Sequence, residues 1–204
     1  MASARHLAHR ERIEFADLLA GLTTQQWSAP SLCAGWTVRD VAAHTIGYLD
    51  QGVGALLRRM IVARGDVDRV NGALHPTVAT LPESDLVDRM RRGARPAGAG
   101  ALYGSRVALI ECLIHQQDIR RPLGLLRPIS GDALRVALTY ARVSPVIGGA
   151  RRTRGVRLVA TDLDWSAGRG PDVAGPGEAL LLTMTGRIAA VRDELTGEGV
   201  AAVR

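Results

Sequence analysis

The sequence predicts a mainly α protein, with a helical bundle over residues 1–145 and a small α/β domain over 150–204. Three observations carry this. Apolar residues recur at helical spacing in successive segments of the first part. Glycine and proline punctuate those segments at short intervals, as between bundle helices. Beyond residue 150 the pattern changes to strand-like alternation among turn residues. The length of 204 residues suits one large domain or a domain with a small appendage.

Residues 4–22 place Leu7, Ile13, Ala16, Leu19 and Ala20 near helical spacing. Residues 23–37 read as a loop containing Pro30 and Gly35. A second helix begins at Thr37, where Asp40 three residues on makes a capping-box-like start. Its stripe runs Val38, Val41, Ala42, Thr45, Leu49, Val53, Leu56 and Met60. A third helix spans about Glu83 to Arg95 and opens at Pro82. Gly93 to Gly104 reads as a loop, and a fourth helix runs from Ser105 to Arg121, stopped by Pro122 and Gly124. A fifth covers Asp132 to Val143. In the second part, Val156 to Ala160 alternates as a strand, Asp162 to Gly170 holds turn residues, Gly177 to Arg192 reads as helix, and Val200 to Val203 as an edge strand.

Composition excludes several classes. Hydrophobic residues at 47% and charged residues at 23% are those of a globular chain, not a disordered one. No apolar run approaches the roughly 20 residues of a membrane span, and the first residues lack the apolar core of a secretory signal. Two cysteines, Cys33 and Cys112, cannot build a disulfide framework. The expectation is a cytoplasmic protein with no membrane partner. Net charge is +6, yet all 26 basic residues are arginine. Their scatter and the 3% aromatic content argue against nucleic-acid binding, which needs a basic stripe and stacking platforms.

The fourth helix carries the chemical anomaly. Val107, Ile110 and Ile114 define its apolar face, and Glu111, His115 and Asp118 fall on that same face. A glutamate there needs a partner, because an uncompensated buried charge is costly. Glu111 and His115, spaced i, i+4, reach one point beside the helix. A divalent metal would satisfy both, and an interhelical salt bridge or hydrogen-bond network would as well. His44, at the border of the second helix's stripe, supplies a third ligand or is a satisfied core histidine. Asp118 reads as an acceptor behind His115 or a partner for Arg121. Cys33 lies before the second helix, either near its positive end or as a packing residue. His6, His9 and His75 read as surface residues, and Cys112 points away from the Glu111 face.

Two segments, SLCAGWTVRDVAAH (Ser31 to His44) and ECLIHQQDIRRPLG (Glu111 to Gly124), are more specific than any ligand pair. With GPGEALLLTMTGR (Gly175 to Arg187) and the later GEGV, they resemble the maleylpyruvate isomerase family of mycothiol-dependent enzymes, within the DinB-like up-down four-helix metal-binding bundles. The resemblance implies that His44, Glu111 and His115 bind a divalent metal, most often zinc. It implies mycothiol, the low-molecular-weight thiol of actinobacteria, as co-substrate, and Arg187 as a catalytic arginine. The expected activity is thiol addition to a small electrophilic substrate, ending in cis–trans isomerisation or thiol S-transfer by a monomer or homodimer. The alternatives are a metal-dependent hydrolase, for which Asp118 is the candidate base, and a non-catalytic DinB-like binding or stress protein.

Overall fold

The computed structural model describes residues 2–47, 52–64, 78, 80–145 and 147–203. The chain divides into two compact units, Ala2–Leu126 and Arg127–Arg204. Among the described residues no helix is long and apolar enough to cross a membrane.

The first unit is a helical bundle of α1 (Ala4–Ala20), α3 (Val38–Gly47), α5 (Glu83–Arg92) and α6 (Arg106–Leu123). Helices α1 and α3 each pack against both α5 and α6, with a one-turn α2 (Thr24–Trp27) beside α3. The side chains of Phe15, Trp27, Val41, Leu86, Met90 and Ile119 close the core. Burying each large apolar side chain contributes about 1.5–3 kcal/mol.

The elements follow their sequence signals with informative exceptions. Helix α1 is capped by Ser3, whose hydroxyl accepts from the His6 N–H at 3.2 Å. Its buried stripe takes in Glu11 and Arg12, leaving Ile13 38% exposed against the sequence expectation. The Gln116 amide donates to Glu11 at 3.1 Å, and Arg12 donates to the Gly93 carbonyl at 2.9 Å. Those bonds compensate the buried charges. Helix α2 falls inside the expected loop, where Thr23 and Gln26 form a full capping box.

The expected second helix is present as α3 and, separately, α4 (Val53–Val62). Gly52 is not helical, Leu49 lies outside the described residues, and Val53 is 38% exposed. The Thr37–Asp40 cap forms as predicted: the Thr37 N–H reaches the Asp40 carboxylate at 2.8 Å, and the Asp40 N–H reaches the Thr37 hydroxyl at 3.2 Å. The third helix ends at Arg92 with Gly93 capping it, and the expected loop holds 3₁₀ turns within Gly98–Ser105, broken by a kink at Leu102–Gly104.

The fourth helix runs through Pro122 and is capped by Gly124. Proline has no N–H, so the carbonyl four residues earlier, on Asp118, loses its helical donor. The Leu32 N–H fills that place at 3.0 Å. The missing donor thus becomes the tie between the loop before α3 and the helix carrying Glu111, His115 and Asp118.

The second unit begins earlier than the expected boundary. Helix α7 (Gly131–Val143), expected as a fifth bundle helix within residues 1–145, packs on α9 (Gly177–Met184), as does the short α8 (Gly149–Arg152). Strands β1 (Arg157–Ala160), β2 (Ser166–Gly168) and β3 (Asp172–Gly175) form a sheet in the order β2-β1-β3. β1 is antiparallel to β2 and parallel to β3. Buried Leu158 and Ala160 lie on the alternating positions predicted for the first strand, and Val173 is buried on β3, a strand the sequence reading did not expect.

Two expectations fail here. The helix expected to reach Arg192 stops at Met184, because Gly186 adopts φ +86° and the Arg187 N–H turns back to the Leu182 carbonyl at 2.8 Å. A left-handed residue at that point is the usual helix-ending glycine motif. The expected edge strand at Val200–Val203 is instead part of a 3₁₀ turn over Glu198–Ala202, and Thr196 pairs with Ala174 through two 2.8 Å backbone bonds.

Candidate metal centre

Three elements of the first unit bring the chemical residues together. The loop tied to the Asp118 carbonyl carries Cys33 and Trp36, α3 carries His44, and α6 carries Glu111, His115 and Asp118. His44 is 3% exposed and His115 8%, and Asp118 is fully buried. The His44 ring meets His115 edge-on at 5.0 Å between centroids, and Trp36 also packs edge-on against His44 at 5.1 Å.

The hydrogen-bond order fixes how His115 is presented. Its Nδ1 lies 2.8 Å from Asp118 Oδ2, and its Nε2 lies 3.2 Å from Glu111 Oε2. With the proton on Nδ1 held by Asp118, the Nε2 lone pair faces Glu111 and His44, the orientation that carboxylate–histidine pairs impose on metal ligands. The ligand atoms of His44, Glu111 and His115 all lie within 4.8 Å of one another. Ligand atoms about 2.1 Å from a shared zinc ion sit ~3.4 Å apart, so modest rotamer changes close the trio. Two imidazoles and a carboxylate are a donor set that fits a divalent transition metal and leaves a position open. Of the two readings open for Asp118, the structure shows the contact with His115.

Burial alone would lower the His115 pKa, but hydrogen bonds to Asp118, Cys33 and Glu111 outweigh it and hold the ring well above its ordinary value. In the metal-free chain this stabilisation is complete below the ordinary histidine pKa and is lost as pH rises through the raised one. A cation must expel the same proton. Metal affinity, measured by competition with a chromophoric chelator, is expected to climb about tenfold per pH unit up to the raised pKa and flatten above it. A pH-independent affinity would contradict this geometry.

The cysteines separate cleanly. Cys112 is buried beside Arg12, and burial pushes its thiol up to about 11, so it stays protonated. Cys33 is half-buried and donates its thiol proton to Asp118 Oδ2 at 3.2 Å. Sequence reasoning missed that contact, because Cys33 and Asp118 meet only through the loop tie at Leu32. His6 is exposed and His9 half-buried, neither in a donor cluster, and His75 lies outside the described residues.

Arg187 belongs to the second unit, in the turn after α9, not within a helix. It is half-buried and donates to the Thr185 carbonyl at 2.7 Å. Nearby Arg152 has its pKa lowered by burial and by the like charges of Arg151 and Arg187, so three guanidinium groups share one locality.

With this geometry in place, residues 8–104 match the family model described as the mycothiol maleylpyruvate isomerase N-terminal domain. That segment is similar to this domain family. The match takes in Cys33, Trp36 and His44 and ends before Glu111. No curated protein matches the chain. Among solved structures, a His-to-Ala variant of the mycothiol-dependent maleylpyruvate isomerase is similar at TM-score 0.51 and 16% identity, covering 97% of this chain and 96% of that one. A second structure, of the mycothiol-dependent maleylpyruvate isomerase itself, gives TM-score 0.49 and 17% identity over the same shares. The first likeness shows the fold: a mainly helical chain with a small sheet in its second part, as the sequence predicts.

Proposed function

We propose that this chain is a thiol-dependent enzyme, working with mycothiol on a small electrophilic substrate and supported by a divalent metal such as zinc held by His44, Glu111 and His115. The observation that carries the reading is the convergence of those three donors, with the His115 ring oriented by Asp118, in a chain whose residues 8–104 match the mycothiol maleylpyruvate isomerase N-terminal domain model. A bound divalent cation would supply Lewis acidity and favour thiolate over thiol near neutral pH.

The chain's own residues do the rest. Asp118 holds the Nδ1 proton of His115, so that Nε2 is available toward Glu111 and His44. Trp36 packs against His44 and restrains that ring. Asp118 is fully buried and already accepts from His115 and Cys33, so it is poorly placed to activate water. That observation favours thiol chemistry over metal-dependent hydrolysis.

Isomerisation needs only that the thiolate add to a conjugated carbon. The former double bond rotates as a single bond, and the thiolate leaves again with the new double bond formed. If the adduct is protonated on carbon and released, the outcome is S-transfer. The test is turnover of a cis-configured enone acid such as maleylpyruvate by the metal-loaded chain, followed by absorbance and mass spectrometry. Isomer or thioether formed only when mycothiol is present is expected. Turnover of equal rate without any thiol would overturn the proposal.

A further inference from the structure

One ring belongs to two donor sets. On the Nε2 side of His115 lie Glu111 Oε2 at 3.2 Å and the His44 imidazole. On the Nδ1 side lies Asp118 Oδ2 at 2.8 Å, and Cys33 Sγ sits 3.2 Å from that same oxygen. The ligand atoms of Cys33, His115 and Asp118 fall within 4.8 Å of one another, as do those of His44, Glu111 and His115. We propose that Cys33, Asp118 and Nδ1 of His115 form a second cation site, selective for thiophilic divalent ions, that competes with the His44 set for the same imidazole.

A neutral imidazole has a single nitrogen lone pair, and the tautomer decides which side carries it. Each ring nitrogen of His115 faces a carboxylate, so either tautomer finds an acceptor for its N–H. With the proton on Nδ1 the lone pair serves His44 and Glu111. With the proton on Nε2, donated to Glu111, the lone pair serves Cys33 and Asp118. The two sets are therefore alternatives of one residue.

The donor chemistry sets their preferences. Two imidazoles with a carboxylate suit borderline metals, whereas a thiolate draws softer ions such as cadmium or zinc in excess. The second set is closely drawn. Its 2.8 and 3.2 Å separations are near those of ligands around one ion, so a cation replaces the shared hydrogen-bond protons with little movement. Binding releases the Cys33 proton and the Nδ1 proton of the charged His115 ring to solvent, leaves the Nε2 proton donated to Glu111, and forms the metal–sulfur and metal–nitrogen bonds. The thiolate and the Asp118 carboxylate together balance the ion's two charges. The site stands whether or not the His44 set holds the resident metal.

The probe is Cd2+ titrated into the full metal-free chain, read by the ultraviolet thiolate-to-cadmium charge-transfer band. The band is expected to saturate at one ion per chain, to persist in Cys112→Ser and in His44→Ala, and to vanish in Cys33→Ser. In the zinc-loaded chain, cadmium is expected to release zinc mole for mole. A measurement on the unaltered chain guards against a variant that fails to fold: cadmium should slow alkylation of Cys33 by iodoacetamide at least about tenfold, as mapped by mass spectrometry. The proposal is overturned if no band forms, if the band survives Cys33→Ser, or if Cys33 alkylates at the same rate with and without cadmium. Loss of the band in His44→Ala would also overturn it. A chain that shows the band yet has no thiol-dependent turnover would leave this site intact and sink only the proposed function.

Discussion

Replacing His44 by alanine is expected to abolish binding of zinc supplied at one equivalent and thiol-dependent turnover together while leaving the bundle folded. His44 is buried and packed between Trp36 and His115, so the variant loses some packing. It leaves the pairing of His115 with Asp118 and Glu111 untouched. Removing a supporting group behind a ligand typically costs 10–100-fold in metal affinity, and losing a ligand outright is expected to cost at least the upper end of that range. His115→Ala should be harsher. It removes the partner of a fully buried Asp118, and breaking a buried ion pair from one side costs about 3–5 kcal/mol. Metal analysis beside thermal unfolding separates the two effects: His44→Ala should lose metal with little change in stability, and His115→Ala should lose both. Full zinc occupancy of His44→Ala at one equivalent of zinc would refute the assigned ligand set.

The second large effect concerns Arg187. The proposal that it is a catalytic arginine rests on the Gly175–Arg187 motif, whose role would be to pair with a substrate carboxylate and the charge that develops as the thiol adds. A positioned donor to developing charge is worth about 2.7–4 kcal/mol, or 100–1,000-fold in turnover. Arg187 also donates to the Thr185 carbonyl in the turn after α9, so a drop in Arg187→Ala alone mixes structure with chemistry. Arg187→Lys keeps the charge and a donor but loses the planar two-point grip. The expected result is intact metal content and near-normal unfolding for both variants, with turnover down about 100-fold in alanine and only partly restored in lysine. Near-normal turnover of Arg187→Ala on an anionic substrate would remove Arg187 from the reaction.

Local signals were legible where one residue's chemistry dictates its neighbours' geometry. The Thr37–Asp40 cap formed as predicted, and a glutamate and histidine spaced four apart on an apolar helix face met a second-helix histidine. Sequence periodicity misjudged α1 because Glu11 and Arg12, polar by composition, are interior through bonds to Gln116 and Gly93. It overran the last helix because Thr185–Gly186 reads as tolerable interior residues, although Gly186 turns left-handed and ends it. It placed α7 in the bundle because pattern alone does not say which neighbour buries an amphipathic face. The Cys33–Asp118 contact was beyond reach for a different reason: it depends on Pro122 leaving the Asp118 carbonyl to the Leu32 N–H, a long-range consequence of one absent donor.

The most direct test of the central claim, that His44, Glu111 and His115 hold a cation the thiol requires, is calorimetric titration of mycothiol into the metal-free and zinc-loaded chains. Metal-free protein is expected to bind at least about tenfold more weakly, equivalent to roughly 1.4 kcal/mol. Equal affinity in the two forms would mean that the thiol does not depend on the metal, and the account of this site would be contradicted.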